Sequence, residues 1–258
     1  MHRFSRYVMS QRYERACARA TKALPAYLPG IHEFLCKQKE GGGLYHSYSA
    51  YKFLEIWQML ERLHPQTIVE CGSGTSTAVF AQYAAANPGT TLVTLEEGAH
   101  YIEETRSRLA PEVRDIPIFC HVQGCVEGPP GAESCFYSPE YRQHLGTTVD
   151  LLYVDGPYNV SRTDPTKDMA CIDVLKLIES GYRVRNVLYD FRLSSVRRFY
   201  NSPACLHYDP HLYHLVVDPP EEWFVVPVRH HSWFRLRDTT VNPGFCAEIP
   251  ESYVSNIR

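Results

Sequence analysis

The sequence predicts an α/β fold, a three-layer sandwich with helices on both faces of a central, mostly parallel sheet. Two observations carry this. From Thr67 onward, short apolar runs alternate with segments of helical period, the pattern of parallel strands buried on both faces. Four of those runs end in an acid, at Glu70, Glu96, Asp155 and Asp190. In open α/β sheets ligands bind outside the carboxyl ends of the strands, so these acids are expected to gather along one edge.

The bulk properties agree. The 258 residues, 44% hydrophobic and 21% charged, suffice for one such domain with added helices. A net charge of −3 argues against a nucleic-acid partner, which a basic excess would attract. Nine cysteines, an odd number with no CxxC spacing, describe reduced thiols in a cytoplasmic setting rather than a disulfide framework. No apolar run has the length of a membrane span. Arg3, Arg6, Arg12, Arg15, Arg19 and Lys22 stand against Glu14 alone in residues 1–22. That composition is similar to an organellar transit peptide. With Phe4, Tyr7 and Val8 at helical spacing, the segment reads instead as a basic surface helix.

Residues 3–24 read as a helix stopped by Pro25 and by Pro29-Gly30, and residues 31–39 as a short second helix. Gly41-Gly42-Gly43 then breaks the chain. The helix of residues 49–63 has Ser49 as its cap and Phe53, Ile56, Trp57 and Leu60 at a period near 3.6. Pro65 stops it. Strands are expected at 67–70, 91–95, 116–122, 149–154 and 184–189, with helices at 76–86, 99–109 and 168–180. Residues 123–148, with Gly124, Gly128 and Pro129-Pro130-Gly131, read as a loop-rich insertion. Two further strands, 212–217 and 233–237, flank Pro219-Pro220 and Pro227. On this reading residues 1–48 are a helical extension and 49–258 the ligand-binding domain.

The segment Ile68-Val69-Glu70-Cys71-Gly72-Ser73-Gly74-Thr75-Ser76-Thr77 carries most of the chemistry. A strand enters a tight turn whose glycines let a ligand approach the backbone, and the helix that follows presents free N–H groups. The dinucleotide fingerprint needs a third glycine or alanine where Thr77 stands. An acid directly before the turn repels a phosphate but suits a ligand bearing an ammonium and a sulfonium. Two more segments follow in register: Thr91-Leu92-Val93-Thr94-Leu95-Glu96, and Val149-Asp150-Leu151-Leu152-Tyr153-Val154-Asp155-Gly156-Pro157.

With these three segments in place the chain resembles the class I S-adenosylmethionine-dependent methyltransferases, Rossmann-like enzymes, and among them a small-molecule subgroup with Gly-Ser-Gly-Thr-Ser-Thr and Val-Asp-Gly-Pro motifs. The resemblance spans roughly residues 50–200. It implies a seven-stranded sheet whose last strand is antiparallel. It implies that Glu70, Cys71, Gly72, Ser73, Gly74, Thr75 and Ser76 hold the methionine part of the cofactor, and that Glu96, with Glu97 as a substitute, holds the ribose. Asp155 would face the acceptor as base or orienter. Ser76 replaces the family's third glycine. His121, Gln123 and Gly124 stand where an adenine-side acid is usual, which leaves the adenine contact unassigned. The implied reaction is methyl transfer to a small-molecule acceptor, at oxygen, by an in-line displacement driven by positioning and desolvation.

Other signals weigh less. Asp155 and Asp190 occupy positions at which some methyltransferases hold a divalent cation, but Phe191 follows Asp190 where an asparagine would be typical, so no metal is expected. Asp155-Gly156-Pro157-Tyr158 departs from the Asp-Pro-Pro-Tyr motif of nucleobase methyltransferases at its second position. His207, Asp209, His211 and His214 are read as surface residues rather than zinc ligands, and His230-His231 as uninformative. Tyr45, His46 and Tyr48 beside the glycine run suit a lid and an ordinary surface loop equally. Two other functions remain open, a binding or regulatory protein without chemistry and a nicotinamide-dependent oxidoreductase. A homo-oligomer is compatible with all of these.

Overall fold

The computed structural model describes residues 2–40, 49–129, 132–157, 169–190, 192–216, 225–237 and 246–248. The lid candidates Tyr45, His46 and Tyr48, together with Tyr158, Phe191 and Pro219-Pro220, lie outside them.

Three helices precede the sheet: α1 (His2–Tyr27), α2 (Pro29–Glu40) and α3 (Ser49–Leu63). Helix α1 runs through Pro25, past the predicted stop. The proline sits in the last turn, where it removes few backbone bonds. The Leu28 N–H still reaches the Leu24 carbonyl at 2.8 Å, and Pro29 opens α2, a position that needs no N–H.

The alternating part comprises β1 (Thr67–Cys71), α4 (Thr75–Ala86), β2 (Thr91–Glu96), α5 (Ala99–Arg108), β3 (Ile118–His121), β4 (Leu151–Val154), α6 (Asp173–Glu179), β5 (Asn186–Asp190) and α7 (Leu193–Tyr200). Then come β6 (Tyr208–Val216), β7 (Val225–Leu236) and β8 (Cys246–Glu248). The sheet order is β3-β2-β1-β4-β5-β7-β6-β8. Strands β1 to β5 pair in parallel and β7 is antiparallel to β5. The expected seven strands are present, and β8 adds an eighth, antiparallel to β6. From β1 the chain builds outward first to β2 and β3, then in the other direction to β4 and β5. The switch point, where such folds bind ligands, therefore lies between β1 and β4.

Two predicted features change. Residues 123–148 are not simply a loop. Gly124–Glu127 pairs antiparallel with Ser134–Tyr137, and a 3-10 helix follows at Pro139–His144. Cys135, Tyr137 and Tyr141 are buried against the sheet, so the insertion is held by its own apolar anchors. Helix α7, absent from the prediction, buries Val196 and Phe199.

Strand residues alternate between two cores. Ile68, Leu92, Leu151, Tyr153 and Leu188 pack with α3 and α4, whereas Val69, Val93, Leu152, Val154, Val187 and Tyr189 pack with α6 and α7. Leu24 of α1 and Ile31 and Phe34 of α2 belong to the first core, with Ile56 and Leu60 of α3 and Phe80 of α4. Each such buried side chain contributes about 1.5–3 kcal/mol. The N-terminal helices thus share the core of the sheet domain. Among the described residues, no helix is long and apolar enough to cross a membrane.

The ends of β1 and β4 meet backbone against backbone. Gly72 has φ +95°, and a Cβ there would lie 3.2 Å from the Asp155 carbonyl carbon and 3.2 Å from the Gly156 nitrogen. A Cβ on Gly156 would meet the Tyr137 hydroxyl and lie 2.9 Å from the Gly72 nitrogen. Gly74 differs: its backbone is extended, and a Cβ there meets no described residue within 4 Å. Gly72→Ala and Gly156→Ala are therefore expected to lose about 1–3 kcal/mol each in urea unfolding, while Gly74→Ala stays within about 0.5 kcal/mol of the parent. Equal losses at all three positions would remove the distinction.

Candidate cofactor and acceptor site

The first feature of the site is the Glu70 carboxylate. It is fully buried, and it accepts hydrogen bonds from the hydroxyls of Ser76 at 2.6 Å, Thr77 at 2.8 Å and Thr94 at 2.9 Å. These belong to α4 and β2, so one side chain ties three elements together. The Gly74 N–H in turn donates to the Thr77 hydroxyl at 2.9 Å. Glu70 therefore supports the turn from inside, with its charge turned away from the cleft. Burial pushes its carboxyl up to about 8 against the three hydroxyls, which favour the charged form.

The second feature is Glu96, at the end of β2. One carboxylate oxygen accepts from both the N–H and the hydroxyl of Ser73, each at 3.0 Å, and the other accepts from the Gly98 N–H at 3.0 Å. The side chain thus faces the glycine turn across the strand ends, with lone pairs left for further donors. The Glu97 carboxylate passes over Gly124, where a Cβ would collide with it. The Glu97 carbonyl meets the His121 ring nitrogen at 3.1 Å.

The turn itself separates into two sets. Gly72, Ser73, Gly74 and Thr75 are partly exposed, whereas Cys71, Ser76 and Thr77 are buried. The Cys71 thiol points into the second core, and burial raises it far above its usual range. Only the backbone of Cys71 belongs to the turn. Gly74 at the start of α4 has no side chain to cap the helix, and among the described residues Thr77 alone engages its N–H. Open space above Gly74, uncapped N–H groups and a neighbouring carboxylate form a cradle for a ligand with both acceptor and donor groups. Helix α2 reaches this place as well, since the Thr75 hydroxyl donates to the Gln38 amide oxygen at 2.9 Å.

The third feature lies at the ends of β4 and β5. The register pairs Tyr189 with Val154, so the next residues, Asp190 and Asp155, fall side by side. Asp155 is the more open of the two, with 39% of its side chain accessible against 10% for Asp190. Each acid has a cation. Lys52 of α3 pairs with Asp190, and Arg192 contacts the Asp155 carbonyl and carboxylate. Partial desolvation and then the like charge of Asp190 hold Asp155 above the usual carboxylate range, opposed by Lys52 and Arg192. Asp190 lies below that range, because Lys52 and His231 outweigh its burial. Behind it, His231 Nδ1 meets the Glu55 carboxylate at 2.7 Å.

Glu70, Glu96, Asp155 and Asp190 do gather along one edge of the sheet. The sequence reading missed Lys52, Glu55, Arg192 and His231. Glu55 had a visible signal, since it interrupts the i, i+4 row of Tyr51 and Met59, both buried on α3. His231 shares a strand face with the buried Trp233 along β7. Arg192 had no signal. Of the His207 group, His207 is exposed and Asp209 pairs with Arg237 at 2.9 Å. The side chains of His211 and His214 lie outside the described residues.

No protein-family model and no curated protein matches the sequence. Solved structures do match in three dimensions. A Klebsiella pneumoniae protein named as an O-methyltransferase superposes with a TM-score of 0.53 at 15% identity, over 85% of this chain and 96% of its own. An O-methyltransferase from Bacillus cereus, crystallised with S-adenosylhomocysteine, gives 0.51 at 14% identity, over 83% of this chain and 95% of its own. The chain shares their fold. At this identity the likeness extends to the architecture alone, a Rossmann-like sheet with helices on both faces.

The raised carboxyl of Glu70 has a consequence for stability. Its folded value, about 8, lies above its ordinary 4.5, so the folded state holds the proton more tightly. The resulting stabilisation is complete below pH 4.5 and is lost as pH rises through 8. Asp173, which burial raises to about 7, acts with the same sign. The unfolding free energy is expected to fall between pH 5 and pH 8, Glu70 accounting for on the order of 3 kcal/mol. Glu70→Gln should flatten that slope in a pH series of denaturant titrations. An unchanged slope would mean that Glu70 is ionised throughout.

Proposed function

We propose that this protein transfers the methyl group of S-adenosylmethionine to an oxygen of a small-molecule acceptor. The observation that supports this most directly is the cradle above Gly74, where a Cβ would meet no atom of the described residues within 4 Å and which is flanked by Glu96. It lies at the switch point of a fold in which the Bacillus cereus O-methyltransferase was crystallised with S-adenosylhomocysteine. The residues fit the cofactor. The turn from Gly72 to Ser76 would hold the methionine part through its backbone, with Glu70 and Cys71 acting beneath it. Glu96 would accept from the ribose hydroxyls, with Glu97 beside it.

When bound, S-adenosylmethionine supplies an electrophilic methyl group on a positively charged sulfur. Asp155 is the partly open carboxyl that would orient an acceptor hydroxyl and take its proton. Its raised carboxyl suits a group that exchanges protons near neutrality. Arg192 keeps Asp155 in place through the carbonyls of Asp155 and Pro157. The reading treats residues 49–258 as the methyltransferase domain and residues 1–48 as its helical extension, in a cytoplasmic protein.

Thr77 weighs against a nicotinamide cofactor. It is fully buried, and its hydroxyl is engaged with Glu70 and the Gly74 N–H, where the dinucleotide fold packs a bare glycine. Thermal unfolding separates the readings. S-adenosylhomocysteine at one hundred times its dissociation constant should stabilise the folded state by about 2.7 kcal/mol, raising the midpoint by several degrees, and NAD should not. Glu96→Ala should abolish the rise, and Gly74→Ala should reduce it although the variant folds normally. No rise with saturating S-adenosylhomocysteine would overturn the proposal. A rise without turnover on any acceptor would leave a binding protein.

A further inference from the structure

Behind the Asp155–Asp190 pair lies a second layer of buried ionisable groups. Its geometry comes from the sheet. In the antiparallel pairing of β5 with β7, His231 stands directly opposite Asp190. Its Nε2 lies 3.9 Å from the Asp190 carboxylate, and its Nδ1 lies 2.7 Å from Glu55. Both His231 and Glu55 are 1% exposed. His231 Nε2, Glu55 Oε1 and the neighbouring Tyr153 hydroxyl have no hydrogen-bond partner among the described residues. Buried polar atoms are nearly always satisfied, so an unpartnered ring nitrogen facing a carboxylate is a candidate proton site.

We infer that Asp155, Asp190 and His231 form an inward proton path, with Glu55 holding the imidazole at its inner end. This rests on the methyl-transfer reading. The Nδ1–H donates to Glu55, which leaves the Nε2 lone pair facing Asp190. In the transfer, the acceptor hydroxyl gives its proton to Asp155. The oxygen's electron pair forms the new O–CH3 bond, and the S–CH3 bond breaks with its pair remaining on sulfur. The sulfonium charge disappears and the protein gains one proton, so charge is conserved. Asp155 hands that proton to Asp190 beside it, Asp190 passes it to Nε2, and the Glu55 carboxylate stabilises the imidazolium. His231 and Glu55 touch no substrate and are positioning residues.

Several titratable and charged groups among the described residues bear on this path. Lys52 and Glu55 face it from α3, Glu70 from β1, Tyr153 and Asp155 from β4, and Arg192 from beyond β5. The Tyr153 ring packs 6.0 Å from the His231 ring and closes the path on one side. Burial pushes the Glu55 carboxyl up against the attraction of His231. Lys52, paired with Asp190, offsets one of the carboxylates.

Calorimetry in buffers of different ionisation enthalpy counts protons exchanged on binding, and no acceptor is needed. S-adenosylmethionine carries a positive sulfur beside Asp155 and S-adenosylhomocysteine does not. The cation should expel a proton shared along the path, so the first ligand should release up to about one proton more than the second at pH 7. His231→Gln should reduce that difference by at least about half while keeping S-adenosylhomocysteine affinity within about threefold. Glu55→Gln should act in the same direction and serves if His231→Gln does not fold. A purely structural role would lower stability without changing the proton count. Equal counts for the two ligands in the wild type, or an unchanged difference in the variants, would overturn the path and leave the cofactor reading intact. Failure of both ligands to bind would overturn that reading as well.

Discussion

The hydrogen bonding of Glu70 is the constraint from which the rest of the site follows. A carboxylate removed from water costs several kcal/mol unless donors surround it. Here three hydroxyls do so, two from the first turn of α4 and one from β2. Because Thr77 also accepts from the Gly74 N–H, the same acid fixes the backbone of the glycine turn. Glu96 grips the turn from the other side through Ser73. A turn held between two carboxylates has little freedom, and a ligand that binds there meets a preorganised surface. The packing of Gly72 on Gly156 then joins this turn to the end of β4, where the acceptor would lie.

The two halves of the site solve the same electrostatic problem differently. Under the glycine turn the buried acid has only neutral hydroxyls as partners, and burial outweighs them and favours protonation. At the ends of β4 and β5 the acids are satisfied by Lys52 and Arg192, brought in from α3 and from the start of α7. This splits the acidic pair, Asp190 falling and Asp155 rising, as expected when two carboxyls share a site and only one has the stronger cation. The accessible member is the one left near neutral titration, and that arrangement suits proton exchange at the open end.

Element types were legible because they depend on local pattern. The apolar period of α3, the acids ending β1 and β2 and the glycine turn before α4 could be placed to within a residue or two. Gly72 and Gly156 could be singled out for their motifs, though their mutual contact could not. Helix α7 was hidden because its apolar face is short and mixed with arginines. The hairpin within residues 123–148 was masked by its glycines and prolines.

By itself the sequence determined the fold class, the order of strands and helices, and the row of acids at the strand ends, since each follows from periodicity and chain connectivity. Only the tertiary structure decided what each acid does. Glu70 and Glu96 end neighbouring strands in nearly the same local context, yet one points into the first core and the other toward the glycine turn. Lys52 lies 138 residues from Asp190 in the chain, and Glu55 lies 176 from His231. Their contacts depend on sheet register and on how α3 packs across the strands. Burial and charge pairing are properties of that three-dimensional arrangement, and no local pattern encodes them.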